Sequence, residues 1–148
     1  MELKYLLIVF VIALALAPLS HFVPSKRQRH IARLREYAAV HGLFVEFRSL
    51  PGTARERADG HTIYYGKRLP ASRAREASHR AWLRDGSAWR ALERRGEVPA
   101  VLHQFPPQIL AASADEHSCG VYWQESGEVE IVEQIRQVLE AWSAQLRN

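Results

Sequence analysis

Twenty-one consecutive residues without a charge, Tyr5 to Ser25, lie between Lys4 and Lys26. Leu, Val, Ile, Ala and Phe dominate them, and a helix rising about 1.5 Å per residue carries such a run roughly 30 Å, the thickness of a bilayer's hydrocarbon core. The run predicts a transmembrane anchor over residues 1–25. A cleaved leader competes with it, because Ala15-Leu16-Ala17 has the small-x-small form that a signal peptidase cuts after an apolar stretch. Cleavage there would leave Pro18 as the first residue of the mature chain, which disfavours it, and the apolar run continues through Leu19, Phe22 and Val23 to a basic stop. Glu2 offsets Lys4, so the amino-terminal region is poorer in positive charge than an exported leader. A retained anchor is the better reading.

Charge beside the run sets the expected orientation. Lys26, Arg27, Arg29, Arg33 and Arg35 follow it before the first acid, Glu36, whereas Lys4 alone precedes it. By the positive-inside rule, an inner-membrane protein follows, single-pass, with residues 43–148 as its cytoplasmic domain. The same five bases can contact anionic lipid headgroups at about 1 kcal/mol each near the surface. One cysteine, Cys119, excludes an internal disulfide framework and fits a reducing compartment.

The basic balance of the whole chain, a sequence pI near 9.6, belongs mostly to this segment. Residues 36–148 hold 14 bases and 15 acids. Within them the sign is polarised: residues 55–95 carry 11 bases and 5 acids, and residues 96–148 carry 2 bases and 8 acids. Such halves either face each other in one fold or offer partners two oppositely charged surfaces.

The remaining pattern predicts an α+β domain, an antiparallel sheet packed by an amino-terminal and a carboxy-terminal amphipathic helix. Ser25 and Gln28 make a capping box after Pro24, Ile31, Leu34 and Ala38 share a face, and Gly42 is a natural terminator, so a juxtamembrane helix occupies residues 26–42. Leu43, Val45 and Phe47 alternate with Phe44, Glu46 and Arg48 as a strand that stops at Leu50-Pro51-Gly52. Thr53–Gly60 reads as a loop, and Thr62–Tyr65 as a second strand closing at Gly66. Residues 73–94 suit a helix by composition, but Asp85-Gly86 at their centre favours a hairpin, with Trp82 opposite Trp89 across a two-residue turn. A proline-bearing linker runs from Gly96 to Pro107. A second hairpin, Gln108–Ser113 with Gly120–Gln124, turns through Asp115, Glu116 and His117. Ile131, Ile135, Val138, Leu139, Trp142 and Leu146 form one apolar face of a final helix.

Motifs that would name a reaction do not occur. The chain has no G-x-G-x-x-G, no phosphate-binding G-x-x-x-x-G-K-[ST], no H-E-x-x-H, no paired C-x-x-C and no G-x-S-x-G. No cofactor, metal or catalytic residue is assigned. Asp115, Glu116, His117 and Cys119 mix ligand types within five positions, yet neighbours alternate faces on a strand and no second pair stands at zinc spacing, so a polar turn is expected. A thiol enzyme or hydrolase would use Cys119 with His103 or His117 as base, although nothing in the surroundings implies a depressed thiol pKa. Tyr64, Tyr65, Trp82 and Trp89 among basic residues allow a single-stranded nucleic-acid binder, but no ribonucleoprotein motif accompanies them and they equally suit sheet packing.

The apolar run, its proline and Lys26-Arg27-Gln28-Arg29-His30 leading into a polar helix resemble the start of the YajC-like single-span accessory subunits of bacterial preprotein translocase. The resemblance covers about the first quarter of the chain and implies an accessory role in a membrane complex. It transfers no functional residue. The function expected from the whole sequence is a non-enzymatic protein-interaction domain held at the membrane through residues 5–25, with another membrane or membrane-associated protein as partner.

Overall fold

A computed structural model of the protein describes residues 2–18, 23–52, 62–70 and 79–147. Its internal packing divides the chain into two units, Met1–Ala32 and Arg33–Asn148.

In the first unit, helix α1 runs over Glu2–Leu16, 15 residues, and none of them is buried. The helix stops just ahead of Pro18, where the ring removes a helical N–H and crowds the residue before it. Fifteen residues reach only about 22 Å, against a hydrocarbon core of roughly 30 Å. The single-pass transmembrane span expected over residues 5–25 is therefore corrected: among the described residues, no helix is long and apolar enough to cross a membrane. Residues 19–22 of that expected span lie outside the described residues.

Helix α2 covers Lys26–Val40 and begins as its capping box dictates. The Ser25 N–H donates to Gln28 Oε1 at 3.0 Å, and the Gln28 N–H donates to Ser25 Oγ at 3.2 Å. At the other end the Leu43 N–H donates to the Ala38 carbonyl at 2.9 Å and the Gly42 N–H to that of Ala39 at 3.3 Å, the paired bonds of a Schellman motif. Leu34 and Ala38 on its inner face are fully buried.

The second unit is α+β. Strands β1 (Phe44–Phe47), β2 (Ile63–Arg68), β3 (Arg80–Asp85), β4 (Ala88–Ala91), β5 (Ala111–Ala114) and β6 (Ser118–Trp123) form one antiparallel sheet in the order β1-β2-β6-β5-β3-β4. Helix α3 (Val129–Arg147), a 3-10 helix (Ala100–Gln104) and the inner face of α2 supply the side chains that cover one face. There Ile63, Tyr65, Trp82, Trp89, Ala112, Cys119, Val121 and Trp123 meet Leu34, Leu102, Phe105, Val132, Ile135, Leu139 and Trp142. The Trp82 and Trp142 rings stand edge to face at 5.6 Å, and Phe105 lies between Trp89 and Trp142 at 6.5 and 6.4 Å.

The second face has a different cover. After β1 the segment Arg48–Gly52 crosses from one edge of the sheet toward the other. The Arg48 guanidinium sits 4.0 Å above the Tyr64 ring, Leu50 packs in a cluster with Tyr64, Leu83, Ala111 and Tyr122, and Gly52 comes up against Leu92 beyond β4. The Thr62 hydroxyl donates to the Arg48 carbonyl at 2.9 Å and fixes the start of this strap. Beneath it, Gly66 and Gly120 are cross-strand partners, and the Tyr64 ring lies so close over Gly120 that a Cβ there would stand 2.3 Å from the ring. Gly66 therefore does not close β2, as its residue type suggests. It makes room for the Tyr64 and Phe44 rings, and the strand continues to Arg68.

Residues 80–91 form a hairpin with its register displaced from the expected one. Asp85 pairs with Ala88 and Arg84 with Trp89, so Gly86-Ser87 is the two-residue turn and Trp82 opposes Ala91 instead of Trp89. Gly86 has φ +63°, the left-handed conformation that the first position of such a turn requires and that glycine adopts without steric cost. Both indoles still face the helices, since the shift preserves their side of the sheet. The expected loop Thr53–Gly60 and the residues ahead of β3, 71–78, lie outside the described residues.

Candidate functional site

Glu125 is the most constrained charged residue described. It is 4% exposed and holds φ 54°, a left-handed conformation uncommon for a residue with a side chain. Its carboxylate accepts two bonds from Arg35 of α2, Nε to Oε2 at 3.0 Å and the terminal nitrogen to Oε1 at 2.7 Å, and a third from the Tyr65 hydroxyl at 2.8 Å. A forked guanidinium matched to a carboxylate is the geometry that offsets the cost of burying both charges. Burial and the neighbouring carboxylate hold the Tyr65 hydroxyl far above the usual tyrosine range, and the bond to Glu125 raises the Arg35 pKa. The cluster ties α2, β2 and the exit from β6 together. No sequence signal marks it: Glu125 stands in a polar stretch that reads only as the end of a strand.

Arg35 is thereby withdrawn from the basic run. Lys26, Arg27, Arg29 and Arg33 remain exposed on α2 and make no ion pair among the described residues. They follow α1 in sequence, whose exposed apolar side chains extend from Leu3 at 82% to Leu16 at 55%. A helix apolar on all sides belongs in an apolar surrounding, and a cluster of unpaired bases favours an anionic surface.

The remaining residues singled out by sequence are separated by the fold. Cys119 is buried on the helix-covered face of β6, within the core. His117 is exposed in the β5–β6 turn, 3.0 Å from Glu116, and His103 is exposed on the 3-10 helix. Asp115 Oδ1 accepts the backbone N–H groups of His117 at 2.7 Å and Ser118 at 2.8 Å, so its carboxylate closes the β5–β6 turn. Among the described residues no three His, Cys, Asp or Glu side chains come together as a metal site would need. Tyr64, Tyr65, Trp82 and Trp89 are all buried, with no ring face open to a base.

Two further features were not foreseen. On the second sheet face the Tyr64 hydroxyl lies 3.3 Å from Ser118 Oγ and the Tyr122 hydroxyl 3.3 Å from Ser113 Oγ, and burial pushes the Tyr64 pKa up to about 12. A shallow cavity of about 250 Å³ opens at the end of the β3–β4 hairpin, with Arg80, Arg95, Glu93 and Glu97 around the edge of Trp82. The Trp82 indole N–H donates to the Glu97 carbonyl there, at 2.9 Å.

Comparison of the chain with models of protein families, with curated proteins and with solved structures gives no match.

Proposed function

We propose that the protein is a membrane-associated, non-enzymatic interaction domain: α1 and the basic opening of α2 hold it at a lipid surface, and the α+β unit binds another protein there. The observation that carries the reading is the exposure of α1's apolar side chains along its whole length, followed later in the chain by the exposed bases Lys26, Arg27 and Arg29. Roughly 25 cal/mol for each Å² of apolar surface removed from water gives insertion its driving force, and the bases add attraction to anionic headgroups. Insertion from one side satisfies both terms without a crossing. The anionic cytoplasmic leaflet of an inner membrane is the surface with the fitting charge.

Vesicle flotation of the full chain tests this. The protein is expected to float with vesicles of phosphatidylcholine and phosphatidylglycerol, and the bound fraction to fall when Lys26, Arg27 and Arg29 are changed together to Gln. A chain with Leu7 and Val11 changed to Asp is expected to remain in the dense fraction. Equal recovery of that variant and the native chain with the vesicles would overturn the reading.

A further inference from the structure

Strand β1 lies at the edge of the sheet, bonded to β2 on one side only. On its other side the backbone of Phe44–Phe47 has no backbone partner among the described residues. Such an edge is a template for another strand unless charge, proline or a covering element blunts it. Glu46 is the sole charge in β1, and the edge ends in a large exposed ring. Among the described residues after Ala32, Val40 at 75% and Phe47 at 77% are the most exposed large apolar side chains, and they stand on either side of the turn into β1 and at its end. The other edge strand, β4, carries the charge of Arg90, and the Leu92 N–H bond to the Ala81 carbonyl extends its ladder with β3.

The geometry points to a second copy of the chain as the occupant of this edge, with the two β1 strands antiparallel about a two-fold axis at Val45. A two-fold axis normal to the sheet sets each residue opposite one of the same face, as continued sheet packing requires. Centred on Val45, it places Phe47 against the partner's Leu43 on the helix-covered face and Phe44 against the partner's Glu46 on the other. Strand length and charge select this register. Arg68 holds its guanidinium 4.6 Å above the Phe44 ring and makes no ion pair among the described residues. Glu46 is bound through Oε2 to Arg48 of its own chain at 2.8 Å, which leaves Oε1 to reach the partner's Arg68. Centring on Glu46 or on Phe47 would need Arg48 in the strand, where it has already turned over Tyr64 and back to Glu46. Five residues on each side bury well under the roughly 800 Å² per partner of a standard interface, so the dimer is weak and depends on concentration. The inference stands apart from membrane attachment, because it uses no residue of α1 or of the basic run.

Sedimentation equilibrium of the full chain in a non-ionic detergent, which shields α1, tests it. A monomer–dimer equilibrium is expected, weakened about tenfold or more by Phe47→Lys. Glu46→Arg and Arg68→Glu are each expected to weaken it and their combination to restore it, with circular dichroism confirming that every variant is folded. A chain that stays monomeric at every accessible concentration would overturn the inference. So would a dimer unchanged by Phe47→Lys, or one weakened by both single charge changes and not recovered in the double variant. If Phe47→Lys fails to fold, the two charge variants and their combination decide the matter alone.

Discussion

Arg35 and Glu125, 90 residues apart in sequence, meet in a two-bond ion pair at 3.0 and 2.7 Å, with the carboxylate almost wholly enclosed. This pair fixes where α2 lies on the sheet, and it does so at a residue whose backbone is held in a strained region. Glu125→Ala removes the acceptor of both Arg35 and the buried Tyr65 hydroxyl. The expected loss of stability is about 3 kcal/mol, in the range for breaking a buried pair by taking one partner away. Arg35→Ala leaves the enclosed Glu125 carboxylate with the Tyr65 hydroxyl but without its cation, whereas Glu125→Ala leaves an Arg35 that solvent reaches, so Arg35→Ala is expected to cost at least as much as Glu125→Ala. Urea denaturation of the two single variants and the double variant measures the coupling, and additive losses would show that the pair does not act as a unit.

Glu133 of α3 makes a further tie to α2, accepting bonds from Tyr37 of α2 and from Arg136 and Gln137 of its own helix. The Arg136 guanidinium, then the Tyr37 hydroxyl, hold its carboxyl well below the usual carboxylate range. A depressed folded-state pKa contributes stability that is fully present above the unfolded value, near 4.5, and is lost as the pH falls toward the folded one. Glu133→Gln is therefore expected to lower the urea midpoint at pH 7, and its difference from the native chain to shrink progressively below about pH 4.5. A gap of constant size down to pH 3 would contradict this assignment.

Gly120→Ala tests the close approach on the second sheet face. The added methyl would stand 2.3 Å from the Tyr64 ring, so either the ring or the strand must move, at a cost of about 1–3 kcal/mol. In a Tyr64→Leu background the obstruction is gone, and the same substitution is expected to cost much less. Thermal unfolding of the four chains gives the comparison directly.

These residues also show how far a sequence can be read. The start of α2 was legible because a capping box is local, its donors and acceptors three residues apart. The stripe of α3 was legible because burial follows the helical period, and Ile135, Val138, Leu139 and Trp142 are buried as that period demands. Gly66 misled because a glycine looks the same whether it ends a strand or admits a ring from the next residue but one. In the Asp85-Gly86-Ser87 stretch either of two turn registers was compatible with the residues, and the positive φ of Gly86 selects the one that begins there. Hydropathy overextended the first helix, since an apolar count continues through a proline where backbone geometry does not. Glu125 was invisible because its partners come from a helix 90 residues and a strand 60 residues earlier. The sites named from sequence, Cys119 and the neighbouring acids and histidines, were local in the chain and are divided between core and turn in the fold.

Leu50 gives the strap its apolar hold, packing with Tyr64, Leu83, Ala111 and Tyr122 across the second sheet face. Leu50→Ala is expected to cost about 2–4 kcal/mol through lost burial and the cavity left behind. It should also change a titration. Burial keeps the Tyr64 hydroxyl protonated up to about pH 12, so the folded chain resists ionisation there and its stability is lost as the pH rises from the unfolded value near 10 through the folded one. Loosening the strap readmits water to the ring and brings the folded-state value back toward 10, which narrows the pH range over which that loss occurs. Tyrosinate absorbance of folded Leu50→Ala is therefore expected to rise at lower pH than in the native chain, and Tyr64→Phe in the same background to abolish the difference. If the two absorbance curves coincide while Leu50→Ala is destabilised, the strap holds the sheet without shielding Tyr64.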